Sequence, residues 1–347
     1  MKKMIKKVAA LAAVAAMTVT ALVGCASSSV DNSAVVATVG ETEITTGLVN
    51  FYIRYQQSSI ESMYEAYYGD QIWSLEIEEG VTYEEYLVDT TMDMLEEYYL
   101  LDAHKADYEV SLSEDELAAI DEAAEAFVKA NKDDVIEKIS GQKEYVAELL
   151  RLFTISEKMY EPMTADINRE VSDDEAAQKR LAYVGFSIAS YDENGVETKL
   201  SDEEIADKKK EAEDVLAAAK ANGSLYSYAE ESEDYTAHQL TFDAESTSIA
   251  EEVIEIADKL AEGEFAEVIE TDATIYVVQL ESLLDVDATA TEKDNIILER
   301  EEARYTEIVD GWKEESGIKI DESVLEQINV KALKVMPVEE EEEETEE

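Results

Sequence analysis

One cysteine, two prolines, twelve glycines and two histidines in 347 residues set the first limits on this chain. A single thiol excludes any intramolecular disulfide. Two histidines far apart, His104 and His238, together with one cysteine supply neither a zinc ligand set nor a Cys/His nucleophile. The scarcity of Pro and Gly disfavours a loop-rich all-β sandwich and favours long helices. Positive charge is also short: 28 Lys+Arg stand against 84 Asp+Glu, for a formal net charge of −56. Such a surface repels a phosphate backbone, so nucleic acid is excluded as a partner. The carboxylates follow no D-x-D-x-D-G pattern, and acid pairs such as Glu203-Glu204 fall on solvated helix faces. Neither a calcium loop nor a glycosidase pair is indicated, and no metal site is assigned. No repeat of solenoid period is evident. What is present is a 46% hydrophobic content, enough for one large domain or two to three smaller ones and too much for a disordered chain.

The chain begins with four lysines (Lys2, Lys3, Lys6, Lys7) and an apolar run over residues 8–23, too short for a comfortable membrane span. It reads as an export signal. The run ends Leu22-Val23-Gly24-Cys25, followed by Ala26 and three serines, and this resembles the lipobox of bacterial lipoproteins. The resemblance implies a diacylglyceryl group on the Cys25 thiol and cleavage that leaves Cys25 as the new N-terminus. The other reading is a buried structural cysteine in an apolar helix. Two or more acyl chains, such as palmitate, anchor stably where one binds only marginally. Residues 1–24 are then a signal peptide and 25–33 a small polar tether, with the protein held on the extracytoplasmic face of the cell membrane. Loss of the four lysines takes the charge from −56 to −60, which should keep the body off an anionic leaflet.

The mature chain reads as α+β. Residues 35–45 form two β-prone pieces around Gly40-Glu41, a hairpin signal. From Thr46 to about residue 164 the reading is mostly helix. Leu48, Phe51, Tyr52 and Tyr55 recur at helical spacing, and Thr82/Glu85 and Ser113/Glu116 are capping boxes. Near Ser172 the texture changes. Ser172/Glu175 is a third box expected to open a short helix, followed by a strand over 181–188, a turn at Asp192-Glu-Asn-Gly195 and a fourth box at Ser201/Glu204. After Asn222-Gly223, a helix stop, come a short helix, an extended 240–242, a helix over about 249–260, and strands at 265–270 and 274–280. A last helix over about 290–315 leads to an extended 318–320 and a short helix at 324–328. The end holds eight glutamates in residues 339–347, which self-repulsion should keep disordered.

The stretch Ala257-Asp-Lys-Leu260-Ala-Glu-Gly263-Glu264-Phe265, then Val268-Ile-Glu-Thr271 and Ile275-Tyr276-Val277-Val278, resembles the parvulin-type peptidyl-prolyl isomerases. Residues 222–234 match more loosely, with Ala229, Ser232 and Asp234 in recognisable places and the spacing one residue short. The opening V-A-T-V-G-E-T-E-I-T resembles the start of the N-terminal chaperone module of the PrsA/SurA group of extracytoplasmic foldases, with Gly40-Glu41 where the family has Asn-Gly. The resemblance implies a helical N-terminal region (34–175), an inserted parvulin-like α+β domain (176–284), a C-terminal segment (285–332) packed back on the N-terminal helices, and an acidic tail (333–347).

Twisting an X-Pro amide makes and breaks no covalent bond, so the isomerase needs only a pocket that holds the amide out of conjugation. The family uses an apolar proline pocket and two histidines on adjacent strands. Here Tyr183 and Tyr276 occupy those positions, Tyr235-Thr-Ala-His238-Gln-Leu-Thr-Phe242 replaces the glycine-rich stretch, and Thr274 replaces the hairpin glycine. The candidate catalytic residues are Tyr183, Tyr276 and His238, with Phe186, Phe242 and Phe265 as substrate-binding residues. Two readings stay open. A tyrosine pair can conserve a hydrogen bond across the strands, or the tyrosines pack a former active site. His238 either supplies an imidazole or is a satisfied strand residue; His104 has no partner suggesting a triad. Ten of 19 tyrosines lie between Tyr52 and Tyr108, as a cradle for unfolded apolar segments or simply as an amphipathic face.

The resulting expectation is a lipid-anchored foldase or chaperone for exported polypeptides, with weak or absent isomerase activity and no cofactor beyond the acyl lipid on Cys25. Monomer and homodimer are both open. A solute-binding lipoprotein of a transporter is the alternative; that class needs repeated βα units and Gly/Pro-bearing ligand loops, which are scarce here.

Overall fold

The computed structural model describes residues 18–23, 30–191, 197–232 and 234–337. Cys25, residues 8–17, the 192–195 turn and the glutamates of the tail lie outside the described residues.

Along the chain the first elements are β1 (Val19–Val23), β2 (Val35–Val39), β3 (Thr42–Thr45), α1 (Thr46–Tyr68), β4 (Glu76–Glu78), β5 (Val81–Thr82), α2 (Tyr83–His104), α3 (Glu114–Ala130), α4 (Asp133–Lys138) and α5 (Lys143–Met163). Next come β6 (Lys179–Ser187), β7 (Ala189–Tyr191), β8 (Glu197–Lys199), α6 (Asp202–Asn222), α7 (Leu225–Glu230), β9 (His238–Phe242), α8 (Glu251–Ala257), β10 (Ile269–Glu270) and β11 (Thr274–Ser282). The chain continues with α9 (Val286–Ser316), β12 (Lys319–Ile320), α10 (Glu322–Leu325) and β13 (Leu333–Pro337). It divides into two compact units, residues 1–166 with 302–347, and residues 167–301.

In the first unit, β2 and β3 form the expected hairpin through Gly40, whose φ of 60° suits a residue without Cβ, and β12 adds to the other edge of β2. Thr82 and Ser113 each accept the N3 backbone N–H while Glu85 and Glu116 reach back, so both capping boxes form. Gly47 lets the Tyr145 ring approach: a Cβ there would lie 2.3 Å from its Cζ. Leu48, Phe51, Leu95, Phe127, Leu149 and Leu150 are fully buried in one core.

That core is closed by the C-terminal segment through a polar seam on α1. Arg54, almost wholly buried, donates to the carbonyls of Val330 (3.0 Å) and Asn329 (2.9 Å). Gln57 donates to the Leu333 carbonyl at 2.6 Å, and Glu61 accepts from the Val335 N–H at 2.7 Å and the Trp73 indole at 2.9 Å. Burial lowers the Arg54 guanidinium to about 10, against the pull of Glu61 and Glu84, and burial also pushes the Glu61 carboxyl up. Leu333–Pro337 is therefore strand rather than the start of a disordered tail, because Leu333 and Val335 have an apolar core to enter. Val19–Val23, read as the end of the leader, pairs antiparallel with this strand.

The second unit is built on an antiparallel sheet ordered β10-β11-β6-β9. One face, with Ala182, Val184, Phe186, Ile275 and Val277, packs against α6 and α7; the other, with Leu181, Phe242, Val278 and Leu280, packs against α8. The Ser201/Glu204 box opens α6, and Gly223 ends it at φ 92°. Ser172 caps the N–H of Glu175 at 3.2 Å, but only a turn follows, since the strand beginning at Lys179 leaves no room for a second helical turn. Phe265 makes a single bridge to Gln279, and β10 shrinks to Ile269–Glu270. Buried Gln279 accepts from the Leu225 N–H at 2.8 Å and donates to the carbonyls of Gly223 and Gly263, tying two loops to the sheet.

Candidate functional site

Strand alternation decides which side chains meet. On β6, Leu181, Tyr183 and Gly185 share one face, and on β9 His238, Leu240 and Phe242 share it too; Tyr183 pairs with His238 and Gly185 with Tyr276. The three candidate catalytic residues are thereby gathered. The Tyr183 ring lies 5.2 Å from that of His238 and 5.9 Å from that of Tyr276, the latter nearly edge-on at 64°. Tyr183 and Tyr276 are half-buried and His238 is exposed, so the cluster opens to solvent on the imidazole side. Leu240, Ile249 and Leu260, all half-buried, pack against the same apolar core as the two tyrosines.

Gly185 is a site residue that sequence reasoning missed. A Cβ on it would meet Thr274 Cγ2 at 3.3 Å and the Tyr276 ring at 3.6 Å, so its bare backbone forms the floor beside Tyr276. Its i+2 spacing from Tyr183 in a strand was the available signal.

The three phenylalanines do not gather. Phe242 is fully buried under the tyrosine face. Phe186 and Phe265 belong to the opposite core, where Phe186 meets the Tyr235 ring at 5.9 Å with the Lys208 ammonium 6.0 Å above its centroid. His104 stacks on Trp312 at 4.1 Å and sits 2.9 Å from Asp107. Chemically, the tyrosine face offers two phenolic hydroxyls and an imidazole above an apolar core. That suits binding of an extended or turned peptide, and isomerisation asks for no proton transfer.

The tyrosine-rich part of the first unit divides in two. Tyr52 and Tyr99 are core residues, and burial pushes both hydroxyls up. Tyr67 (81% exposed), Tyr68 and Tyr86 are outside, as is Met63. A ladder runs outward from buried Trp73, stacked on Tyr83 at 5.6 Å, which stacks on Tyr86 at 6.2 Å. Near its outer end a groove of about 520 Å³ has Val81, Val88, Leu325 and Ile328 among its lining and Glu84, Glu85, Asp89, Glu322 and Glu326 among its acids. Burial and the neighbouring Asp93 and Glu85 push the Asp89 carboxyl up. Among the described residues no group of three His, Cys, Asp or Glu side chains can hold a metal ion, and no helix is long and apolar enough to cross a membrane.

No family model matches the chain, and no curated protein matches it. Among solved structures, the foldase protein PrsA of Streptococcus pneumoniae aligns at 17% identity over 74% of this chain and 99% of its own, with a TM-score of 0.29. The PrsA peptidylprolyl isomerase of Bacillus cereus aligns at 17% identity over 86% and 98%, with a TM-score of 0.30. A SurA-like chaperone structure from Campylobacter jejuni aligns at 10% identity over 83% and 99%, with a TM-score of 0.29. Superpositions this loose leave the functional reading to the residues themselves. The chain is an α+β protein similar along most of its length to PrsA- and SurA-type foldases.

Proposed function

We propose that this protein is a lipid-anchored extracytoplasmic foldase that holds exported polypeptides as they emerge, with a parvulin-like unit that has weak or absent isomerase activity. The observation that carries the reading is the convergence of Tyr183, Tyr276 and His238 on one solvent-facing side of a four-stranded antiparallel sheet, with both tyrosines packed on its apolar core. The arrangement puts two tyrosine rings, set edge to face, where the family has two histidines. The outward aromatic ladder and exposed Met63, Tyr67 and Tyr68 supply the first unit with apolar contact area at low entropic cost. Cys25, in its lipobox-like setting, is the attachment point.

Two assays on the purified protein test this. A protease-coupled prolyl-peptide assay should show a rate near background, because uncatalysed X-Pro exchange takes tens to hundreds of seconds. Aggregation of a denatured client should be suppressed at near-stoichiometric ratios. A fast isomerase rate lost in Tyr276→Phe overturns the inactive-domain reading, and failure to suppress aggregation overturns the chaperone reading.

A further inference from the structure

The strand Val19–Val23 lies antiparallel on Leu333–Pro337, with Val19 opposite Pro337, Ala21 opposite Val335 and Val23 opposite Leu333. Val19 and Ala21 are buried in the core of the first unit, and Val19 lines a small, mostly apolar cavity with Phe51, Tyr55, Phe127, Ile139, Val335 and the buried Arg54. The hydrogen bonding of β13 is divided between its two edges. The Leu333 carbonyl and Val335 N–H point inward, to Gln57 and Glu61. Alternation then turns the backbone groups of Lys334 and Met336 outward, toward β1. On β1, the Val19 N–H turns away from β13 and donates to Asn131 Oδ1 at 2.8 Å, so Thr20 and Leu22 are the residues that exchange bonds with β13. Pro337, which has no N–H, sits opposite Val19 where none is needed.

The five residues that complete this site precede Cys25. Processing at the lipobox removes them, leaving a strand edge whose outward N–H and C=O groups have an apolar slot behind them. Bare strand edges of that kind recruit another extended chain.

We infer that in the processed protein the outer edge of Leu333–Pro337 is a strand-acceptor site for an extended, uncharged, β-prone segment of a client polypeptide, which replaces the leader's own Val19–Val23. The chemistry of the occupant is read from the segment seated there: no charge in five residues, and small or branched side chains at the two inward positions, Val19 and Ala21. A second copy is disfavoured, because each processed body carries −60 once the four leader lysines are lost from −56, and two such bodies repel. This inference rests on the processing and client-holding readings above and names the place where a client is held.

The test compares the processed, lipid-bearing protein in detergent with the full chain carrying Cys25→Ser, which blocks alkylation and so keeps the leader. The probe is a fluorescent peptide of residues 18–24. Saturable binding is expected to the processed protein and at least tenfold weaker binding to the leader-bearing chain, with slowed hydrogen exchange at the Lys334 and Met336 amides. N-methylation of the peptide at Thr20 and Leu22 should abolish binding, and N-methylation at Ala21 should be tolerated. Denatured client should displace the peptide. Equal binding to both proteins, no binding, or tolerance of methylation at Thr20 and Leu22 overturns the inference. Concentration-dependent dimerisation that excludes the peptide does the same and assigns the edge to a second copy. A purified protein whose mass still includes residues 1–24 removes its premise. Aggregation suppression is measured on the same samples: if it persists without peptide binding, only the strand-acceptor site fails; if both are lost, the chaperone reading fails with it.

Discussion

The ring of Tyr276 stands nearly edge-on to that of Tyr183, centroids 5.9 Å apart, beside a strand position where Gly185 carries no side chain. Edge-to-face geometry sets the positive rim of one ring against the negative face of the other, worth about 0.5–1.5 kcal/mol beyond burial. The two tyrosines thus hold each other in place while leaving the glycine floor uncovered.

Removing the Tyr276 ring should separate packing from hydroxyl chemistry. Tyr276→Phe should leave the thermal transition of the 167–301 unit within about 0.5 kcal/mol of the parent, while Tyr276→Ala should lower it by about 1–3 kcal/mol. Calorimetry resolving the two units reads this directly. Equal losses in both variants would show that the hydroxyl is what the fold depends on.

Gly185→Val should obstruct the open face. Its Cβ would press on Thr274 Cγ2 at 3.3 Å and the Tyr276 ring at 3.6 Å, moving a partly exposed ring more readily than a buried one. Affinity of the isolated face for a proline-bearing peptide should fall severalfold while aggregation suppression by the whole protein changes little. Nuclear magnetic resonance shifts of the Tyr276 ring report the displacement.

Gln279→Leu should cost about 1–3 kcal/mol, because the buried Leu225 N–H is left without its acceptor while two partly buried glycine carbonyls lose a donor. The loss should fall wholly on the 167–301 unit, with the transition of the other unit unmoved in the same scan.

Acid should find a particular weakness at Glu116. Against the upward push of burial, the Lys158 ammonium at 2.7 Å and the Ser113 cap hold its carboxyl down to about 2. A depressed folded value gives stability that is full above the unfolded value near 4.3 and is lost as pH falls toward 2. Lys158→Met should therefore flatten the fall in stability between about pH 4.5 and 2, measured by urea denaturation across that range. An unchanged slope would mean that the pair does not set the acid limit.

Much of this was legible in the sequence for local reasons. Three capping boxes appeared where S/T-x-x-E preceded an apolar run, and the strands around Tyr183 and Tyr276 were marked by branched and aromatic residues. The resemblance put Tyr183 and Tyr276 on adjacent strands, whereas the meeting of His238 with Tyr183 comes from the register of β6 on β9, which no local pattern carries. What local pattern could not give was anything set by distant partners. Ser172 carries the signature of a helix start, but strand pairing at Lys179 takes the chain first. Phe186, Phe242 and Phe265 look alike in sequence, yet side-chain parity in the sheet and a single bridge at Phe265 send two of them to the other core. Gly185 acts through a side chain it does not have. The polar stripe Asn50, Arg54, Gln57 and Glu61 reads as a solvated helix face until the C-terminal segment lies on it.

That stripe has a consequence for the order in which the molecule is made. Arg54 and its carbonyl partners are separated by 275 and 276 residues, so the helical unit that is synthesised first cannot close until residues 329 and 330 have left the ribosome. The 167–301 unit, continuous in sequence, has all its partners earlier and can fold while the chain is still emerging. Until then the N-terminal helices wait unclosed, their core waiting on a loop of some 275 residues whose closure costs entropy that grows only slowly with length. A chain interrupted before residue 329 would leave a folded 167–301 unit joined to an unclosed first unit, and a protease acting on nascent chains should cut it between residues 46 and 163, within α1 to α5.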